Sequence, residues 1–431
     1  MSEAGDSAAS EHSVPKTLTG IRILHVTLDG PAHNPRMLKE NRTYLAAGAD
    51  AASLVVGTQN DNDLSEDING STLLAYRLAN WRTLRAKIAS QALFRSRDFR
   101  TAIERAISEF APDVIQAHDL FVAGSALAAR PATPVVLDLH EHYPAATEVY
   151  RTAYPKVKRA LFGAFQYRRR MERIETRYIR KSALTLTVTE EATERVLAKC
   201  PGAHVTTVPN LERRDFGSGV PTRSTKLESG VFRLAYVGSF ENHRGLDTVV
   251  RAVARIDDPS VRVDLIGARD SDFVRWLRRE IADLGLADRV VLHEWIPSDE
   301  VSKAIDSSDL ALVPHAPNDQ TNATLPHKLF QYMARSKPVL VSSCPPLAKH
   351  VRAAEAGFVF TAGDEDDCAR AITEALERRD SLERLGENGR RYVTEEMNWE
   401  LVSEPALISA VAELSKRSRR AGAPSTSSLE S

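Results

Sequence analysis

The chain has 431 residues, of which 42% are hydrophobic and 27% charged, with a formal net charge of -1 at pH 7. That length asks for two cores plus tails, and near-neutrality excludes a general attraction to nucleic acid or acidic polymers. Cys200, Cys344 and Cys368 are far apart without metal-ligand spacing, so free buried thiols in a reduced, cytoplasmic protein are expected.

From the N-terminus, residues 1–18 read as a polar, disordered leader without the apolar core of a signal peptide. Short β-branched runs then alternate with helical segments, the pattern of βαβ units in parallel sheets. In the first half strands are expected at Ile21–Thr27, Ala52–Val56, Leu73–Arg77, Val114–Ala117, Val135–Leu139, Leu184–Val188 and Val205–Val208. In the second half they fall at Arg233–Val237, Val261–Ile266, Val290–His293, Leu310–Val313, Val339–Val341 and Phe358–Phe360. Two Rossmann-like domains follow, over 19–208 and 231–398. Between them, 209–230 is rich in Gly, Pro, Ser and charge, as a linker is. A late helix is expected over 399–415, crossing back toward the first domain, and a disordered basic tail over 416–431. No apolar run approaches the roughly twenty residues that span a bilayer.

Two loops of the second half suit an anion. Gly238 ends a strand, permits close backbone approach, and leads through Ser239 to Arg244, which offers a fork to a diphosphate. Pro326-His327-Lys328 opens a helix, where free N–H groups and the helix dipole add to the lysine charge. Asn322, the Leu325 backbone and Lys328 would oppose Arg244 across a cleft. Taken singly, Gly238 could close a strand and both cations could be solvated surface charge; together, at strand ends of one domain, they suggest a nucleotide-sugar site.

In the first half, His118-Asp119 and His140-Glu141 follow strands at their carboxyl ends. The acids would orient the histidines or cap helices. Gly30 and Asn34-Pro35-Arg36 precede a helix from Met37, so Gly30 would allow close approach to a sugar diphosphate or make an ordinary turn. Arg36 would bind phosphate or pair with Glu40 one helical turn later. Asp61-Asn62-Asp63 reads as a surface turn, and no metal motif lies on a site loop.

The ensemble resembles family 4 glycosyltransferases of the GT-B fold. The C-terminal half carries the Val-Gly loop with a basic-Gly step, Glu294-Trp295-Ile296-Pro297, Asp309 to Pro314, the Pro-x-Lys helix, Asn388 to Val393 and Asn398-Trp399. The N-terminal half carries Asn34-Pro35-Arg36, Ala117-His118-Asp119, Asp138 to Glu141 and Val208-Pro209-Asn210, so coverage runs from about Ile21 to Leu414. The resemblance implies two Rossmann-like domains facing a cleft, retention of anomeric configuration, no metal or other cofactor, and departure assisted by the diphosphate. It makes Gly30, Gly238, Ser239, Glu294, Trp295, Ile296, Asn322, Leu325, Pro326 and Gln331 donor-site residues, with His118, Arg244 and Lys328 carrying the chemistry. Asn34, Arg36, Asp119, His140 and Glu141 fall to the acceptor or sugar pocket.

Two departures stand out. Members often carry E-x7-E across the donor helix, and those positions read Ala323 and Gln331. The basic-Gly step reads Arg244 with Ser239. A variant branch with Pro-x-Lys accounts for this, as would a catalytically silent nucleotide-sugar-binding partner; an epimerase would need cleft carboxylates. Gln331 can still hydrogen-bond a ribose hydroxyl. The expected partners are a nucleotide-sugar donor and a glycan, lipid-linked or small-molecule acceptor, not nucleic acid. Finally, Tyr154 to Lys181 is strongly basic with interleaved aromatics, as is Arg77 to Arg105. Such flanks suit either peripheral contact with anionic membrane at the inner face or two solvated helix faces.

Overall fold

The computed structural model describes residues 14–27, 34–57, 70–77, 96–129, 132–151, 164–216 and 230–422. Gly30, the Asp61 to Asp63 turn, Arg82 to Arg95 and Tyr154 to Gly163 lie outside them. Every strand expected from the sequence is present, shifted by no more than two residues at either end. They are β1 (Arg22–Val26), β2 (Asp50–Gly57), β3 (Thr72–Arg77), β4 (Val114–His118), β5 (Val135–Leu139), β6 (Leu184–Thr187), β7 (Val205–Thr207), β8 (Phe232–Val237), β9 (Val261–Ala268), β10 (Val290–Glu294), β11 (Leu310–Val313), β12 (Val339–Ser342) and β13 (Gly357–Phe360).

The strands form two sheets, ordered β3-β2-β1-β4-β5-β6-β7 and β10-β9-β8-β11-β12-β13. Pairing is parallel, with Leu310 opposite Leu234 and Ile23 opposite Val114. In each sheet the order reverses beside the first strand, between β1 and β4 and between β8 and β11. Loops leaving such a reversal diverge, and the crevice they leave is where doubly wound sheets bind ligands.

Alternation along the strands of the second sheet builds its two apolar layers. Leu310, Leu312 and Leu340 join Tyr236, Val263 and Phe358 on one face. Ala311, Val313, Val339 and Val341 join Leu325, Leu329, Phe330 and Met333 on the other. Burial on both faces explains why these strands read as continuous apolar runs. Helix starts are set locally: Asn34 accepts from the Met37 N–H, Thr189 from Ala192 and Ser271 from Val274, each satisfying an otherwise orphaned donor.

The chain clusters into two compact units, Met1–Asp138 with Lys181–Thr185 and Glu404–Ser431, and Leu139–Arg180 with Leu186–Ser403. The late helix departs from expectation. Trp399–Ser403 forms a wide π turn, and the helix proper runs over Glu404–Gly422. It therefore continues through the first residues of the tail expected to be disordered, while the buried apolar stripe of Leu407, Val411 and Leu414 belongs to its earlier turns. All three cysteines are free and buried. Among the described residues no helix is long and apolar enough to cross a membrane.

Candidate donor-binding cleft

The segments leaving β8, β9 and β10 line a cleft in the second unit. It measures about 1190 Å³ and is lined by Gly238, Ser239, Glu241, Asn242, Trp295 and Ile296, among others. After β8 the backbone turns sharply at Gly238, where φ is +146°. That φ favours glycine, and a Cβ there would stand 2.3 Å from the Lys328 Nζ, so a side chain would displace it. A short 3-10 turn, Asn242–Arg244, follows, and Gly245 at φ +68° opens the helix Leu246–Ala254. Gly245 is constrained twice, since a Cβ would lie 1.9 Å from the Pro314 carbonyl oxygen.

Lys328 is the electrostatic centre of this region. It is the first residue of the helix Lys328–Ala334 and is 7% exposed. Its Nζ lies 3.9 Å from the centre of the Tyr236 ring and has no hydrogen-bond partner among the described residues. Burial first, then the nearby Arg244 charge, holds this ammonium well below the ordinary lysine range, with Glu241 opposing. Tyr236 is itself fixed, donating its hydroxyl to the Ser239 carbonyl at 2.7 Å. The Val237 N–H donates to the Tyr332 hydroxyl at 2.9 Å, which ties the strand end to the lysine's helix.

Arg244 is half-buried and donates through Nη1 to His315 Nε2 at 3.2 Å. Its Nε has no partner among the described residues. His315 follows β11 and was not singled out from the sequence. Burial, Arg244, Lys328 and His243 together push its imidazole well below the usual histidine range. His243 is lowered to about 3 by burial, Arg244 and Lys328. The two imidazoles are thus neutral at pH 7 and sit beside the Arg244 guanidinium and the buried Lys328 amine, with Glu241 as the nearby acid.

At the other end of the cleft Trp295 is 56% exposed, with the Arg269 guanidinium 5.4 Å from its ring centre. An exposed indole in a cleft offers a planar surface to a base or sugar. Glu294 is exposed at the end of β10.

Of the other expected residues that the structure describes, Arg244, Lys328, Glu294, Asn322, Leu325, Pro326 and Gln331 are not among those lining this cleft. Asn322 sits in the turn Thr321–Ala323, while Leu325 and Pro326 are buried, Leu325 in the apolar layer. Gln331 donates its amide to Glu212 Oε2 at 2.9 Å. The side chain expected to meet a ribose is therefore engaged by a carboxylate from the segment after β7, a neighbour 119 residues away in sequence.

In the first unit, two of the expected residues, His118 and Arg36, belong to a buried polar cluster. His118 is 1% exposed. Its Nε2 lies 2.9 Å from His25 Nδ1, and its Nδ1 lies 3.3 Å from Asp138. Arg36, 3% exposed, forks onto Asp138 at 3.0 and 3.1 Å and pairs with Glu40 at 3.0 Å. Gln116 donates to Glu40 at 2.7 Å and accepts from Tyr44 at 2.6 Å. Of the two roles expected for Arg36, the structure contains the pairing with Glu40, one helical turn later, as suits a guanidinium this deep. The His118 ring likewise spends its nitrogens on buried neighbours. Asn34 uses its side chain as a helix cap, and Asp119 holds a left-handed φ of +77° at the strand end. In the second unit Glu141 accepts from Gln320 at 2.7 Å, and His140 is half-buried.

Comparison with known proteins follows the same division. Residues 222–392 match the model described as "Glycosyl transferases group 1", and 54–211 match "Glycosyltransferase Family 4". A similar sequence is the MMP alpha-(1->4)-mannosyltransferase of Mycolicibacterium hassiacum, 25% identical over 162 residues, covering 37% of this chain and 38% of that protein. The match thus spans under two fifths of that relative. Sucrose-phosphate synthase from Thermosynechococcus elongatus has the same fold, with a TM-score of 0.72 at 18% identity over 93% of this chain and 100% of its own. HepE of Anabaena, solved with UDP and glucose, superposes with a TM-score of 0.67 at 15% identity over 92% of this chain and 100% of its own. The chain therefore has the GT-B fold, and each half is similar to a glycosyltransferase family model that matches less than half of the whole chain.

Proposed function

We propose that the chain is a glycosyltransferase that moves a sugar from a nucleotide diphosphate sugar to a glycan, lipid-linked or small-molecule acceptor, with retained configuration and without a metal. One observation carries this reading: a buried ammonium, Lys328, without a hydrogen-bonding partner among the described residues, beside Arg244 at the β8/β11 reversal. A diphosphate supplies the missing counter-charge. HepE, solved with UDP-glucose, makes the same ligand class the natural candidate.

Transfer passes through an oxocarbenium-like state while negative charge grows on the departing phosphate oxygen. Lys328 and Arg244 stabilise that charge, which is the work a divalent cation does elsewhere. The departing oxygen then accepts the proton of the incoming hydroxyl, so no side-chain nucleophile is required. Trp295 stacks on the base, and Gly238 lets the diphosphate approach the backbone. The test is a panel of UDP-, GDP- and ADP-sugars assayed with and without EDTA, with the product anomer read by NMR. An inverted product or abolition by EDTA overturns the mechanism; absence of any donor binding overturns the function.

A cytoplasmic protein working at the membrane surface fits the exposed Arg170, Arg173, Arg177 and Arg180 of the helix Ala164–Lys181. They recur at helical spacing, and no ion pair is recorded for them among the described residues. Flotation with phosphatidylglycerol vesicles at low salt is expected to carry the chain upward, and glutamine at these four positions to abolish it. Equal flotation of both removes the membrane contact.

A further inference from the structure

We propose that His315 is a positioning residue for Arg244: its Nε2 accepts the guanidinium and fixes which N–H groups face the donor diphosphate. The inference rests on the reading of Arg244 as a diphosphate ligand. It deepens that reading by assigning a residue that the sequence had not singled out, in the loop after β11.

Geometry carries the argument. Arginine has donors only, so a bond from Arg244 Nη1 at 3.2 Å requires the lone pair on His315 Nε2 and the ring proton on Nδ1. His315 is 2% exposed, and Nδ1 is buried without a partner among the described residues. A buried donor left unmatched is unfavourable, and the arrangement keeps it so that Nε2 stays an acceptor. The surroundings keep the ring neutral: Arg244 and His243 face it from the 3-10 turn and Lys328 from its helix.

Backbone contacts hold the two loops together before any ligand arrives. The Ala316 N–H donates to the His243 carbonyl at 3.0 Å, the His243 and His315 rings meet edge to face at 6.3 Å, and Gly245 packs on the Pro314 carbonyl. The guanidinium therefore leaves a fixed base and meets a fixed acceptor. The acceptor's chemistry matters as well. A carboxylate in place of His315 would orient Arg244 equally well but would cancel its charge. A neutral imidazole orients the fork while leaving the full positive charge to the anion.

The test compares His315→Leu, which removes the acceptor, with His315→Gln, whose amide oxygen can reach the Nε2 position. Titration calorimetry measures inorganic pyrophosphate and UDP or GDP, whichever the wild type binds. His315→Leu is expected to weaken both anions at least tenfold, His315→Gln to return within about threefold of wild type, and His315→Leu to have no further effect in an Arg244→Ala background. Should His315→Leu not fold, His315→Ser, too short to reach Arg244, takes its place. Unchanged affinity in the acceptor-less variant, equal loss in the leucine and glutamine variants, or additive loss with Arg244→Ala overturns the assignment. If the wild type itself binds no nucleoside diphosphate, the donor reading falls and the role of His315 falls with it.

Discussion

Replacing Lys328 by methionine is expected to move stability and binding in opposite directions. The ammonium is buried, rests on the face of Tyr236 and has no hydrogen-bond partner among the described residues. Taking such an ion out of water costs several kcal/mol even after relaxation, of which an aromatic face returns about 1–2 kcal/mol. Methionine has similar length and no charge, so Lys328→Met should stabilise the free protein by about 2 kcal/mol, or about 4–8 °C in Tm for a large domain. Loss of the charge-assisted contact should weaken nucleoside diphosphate binding about ten- to a hundredfold. The pH dependence follows from the depressed folded-state pKa. Between that value and the unfolded value of about 10.4 the unfolded chain binds the extra proton, so wild-type stability rises with pH and the advantage of methionine shrinks. Urea unfolding at pH 7 and pH 10, with calorimetry of the diphosphate, reads both effects. A methionine variant that is less stable and binds as tightly as wild type refutes the reasoning.

Three further substitutions or conditions probe the rest of the structure. Gln331→Glu places a second carboxylate beside Glu212 and removes the amide that donates to it at 2.9 Å. It should cost about 1–3 kcal/mol at pH 7 and less at pH 5, where one carboxyl takes up a proton; equal urea midpoints for variant and wild type at pH 7 would show that the two side chains are uncoupled. Asp138→Asn removes the buried partner of the Arg36 fork and should cost about 3 kcal/mol in urea unfolding, the low end for a broken buried pair because Glu40 remains; a loss below about 1 kcal/mol contradicts the closed cluster. His142 and His243 are both lowered to about 3, chiefly by burial. The unfolded chain therefore takes protons that the folded one refuses, and stability is lost as pH falls from about 6.5 toward about 3. The urea midpoint should drop across that window, less so in His142→Gln; a flat profile sinks the claim.

The strands were legible because parallel strands covered on both faces must be nearly continuous apolar runs, and such runs flanked by Gly, Pro and charge stand out. The candidate donor site was half legible. Gly238, Arg244 and Lys328 announce themselves by residue type beside strand ends, and the structure brings all three within one small region. His315 did not, since its role depends on β11 lying beside β8, a crossover that joins residues 71 apart. The same holds for Glu212 beside Gln331. His118 and Arg36 were legible as residue types and not as environments: parallel pairing of β1 with β4 brings His25 to His118, and Asp138 arrives from β5. A lone histidine at a strand end says nothing about which strand will cover it.

The central claim is that Lys328 and Arg244 hold the diphosphate of a nucleotide sugar. Its most direct measurement is calorimetric titration of UDP-, GDP- and ADP-sugars, and of the matching free nucleosides, into the wild type, Lys328→Met and Arg244→Ala. The account predicts that at least one nucleotide sugar binds the wild type, that each variant loses about ten- to a hundredfold of that affinity, and that nucleoside affinity is unchanged. Equal nucleotide-sugar affinity in all three proteins, or no binding to the wild type, would contradict it.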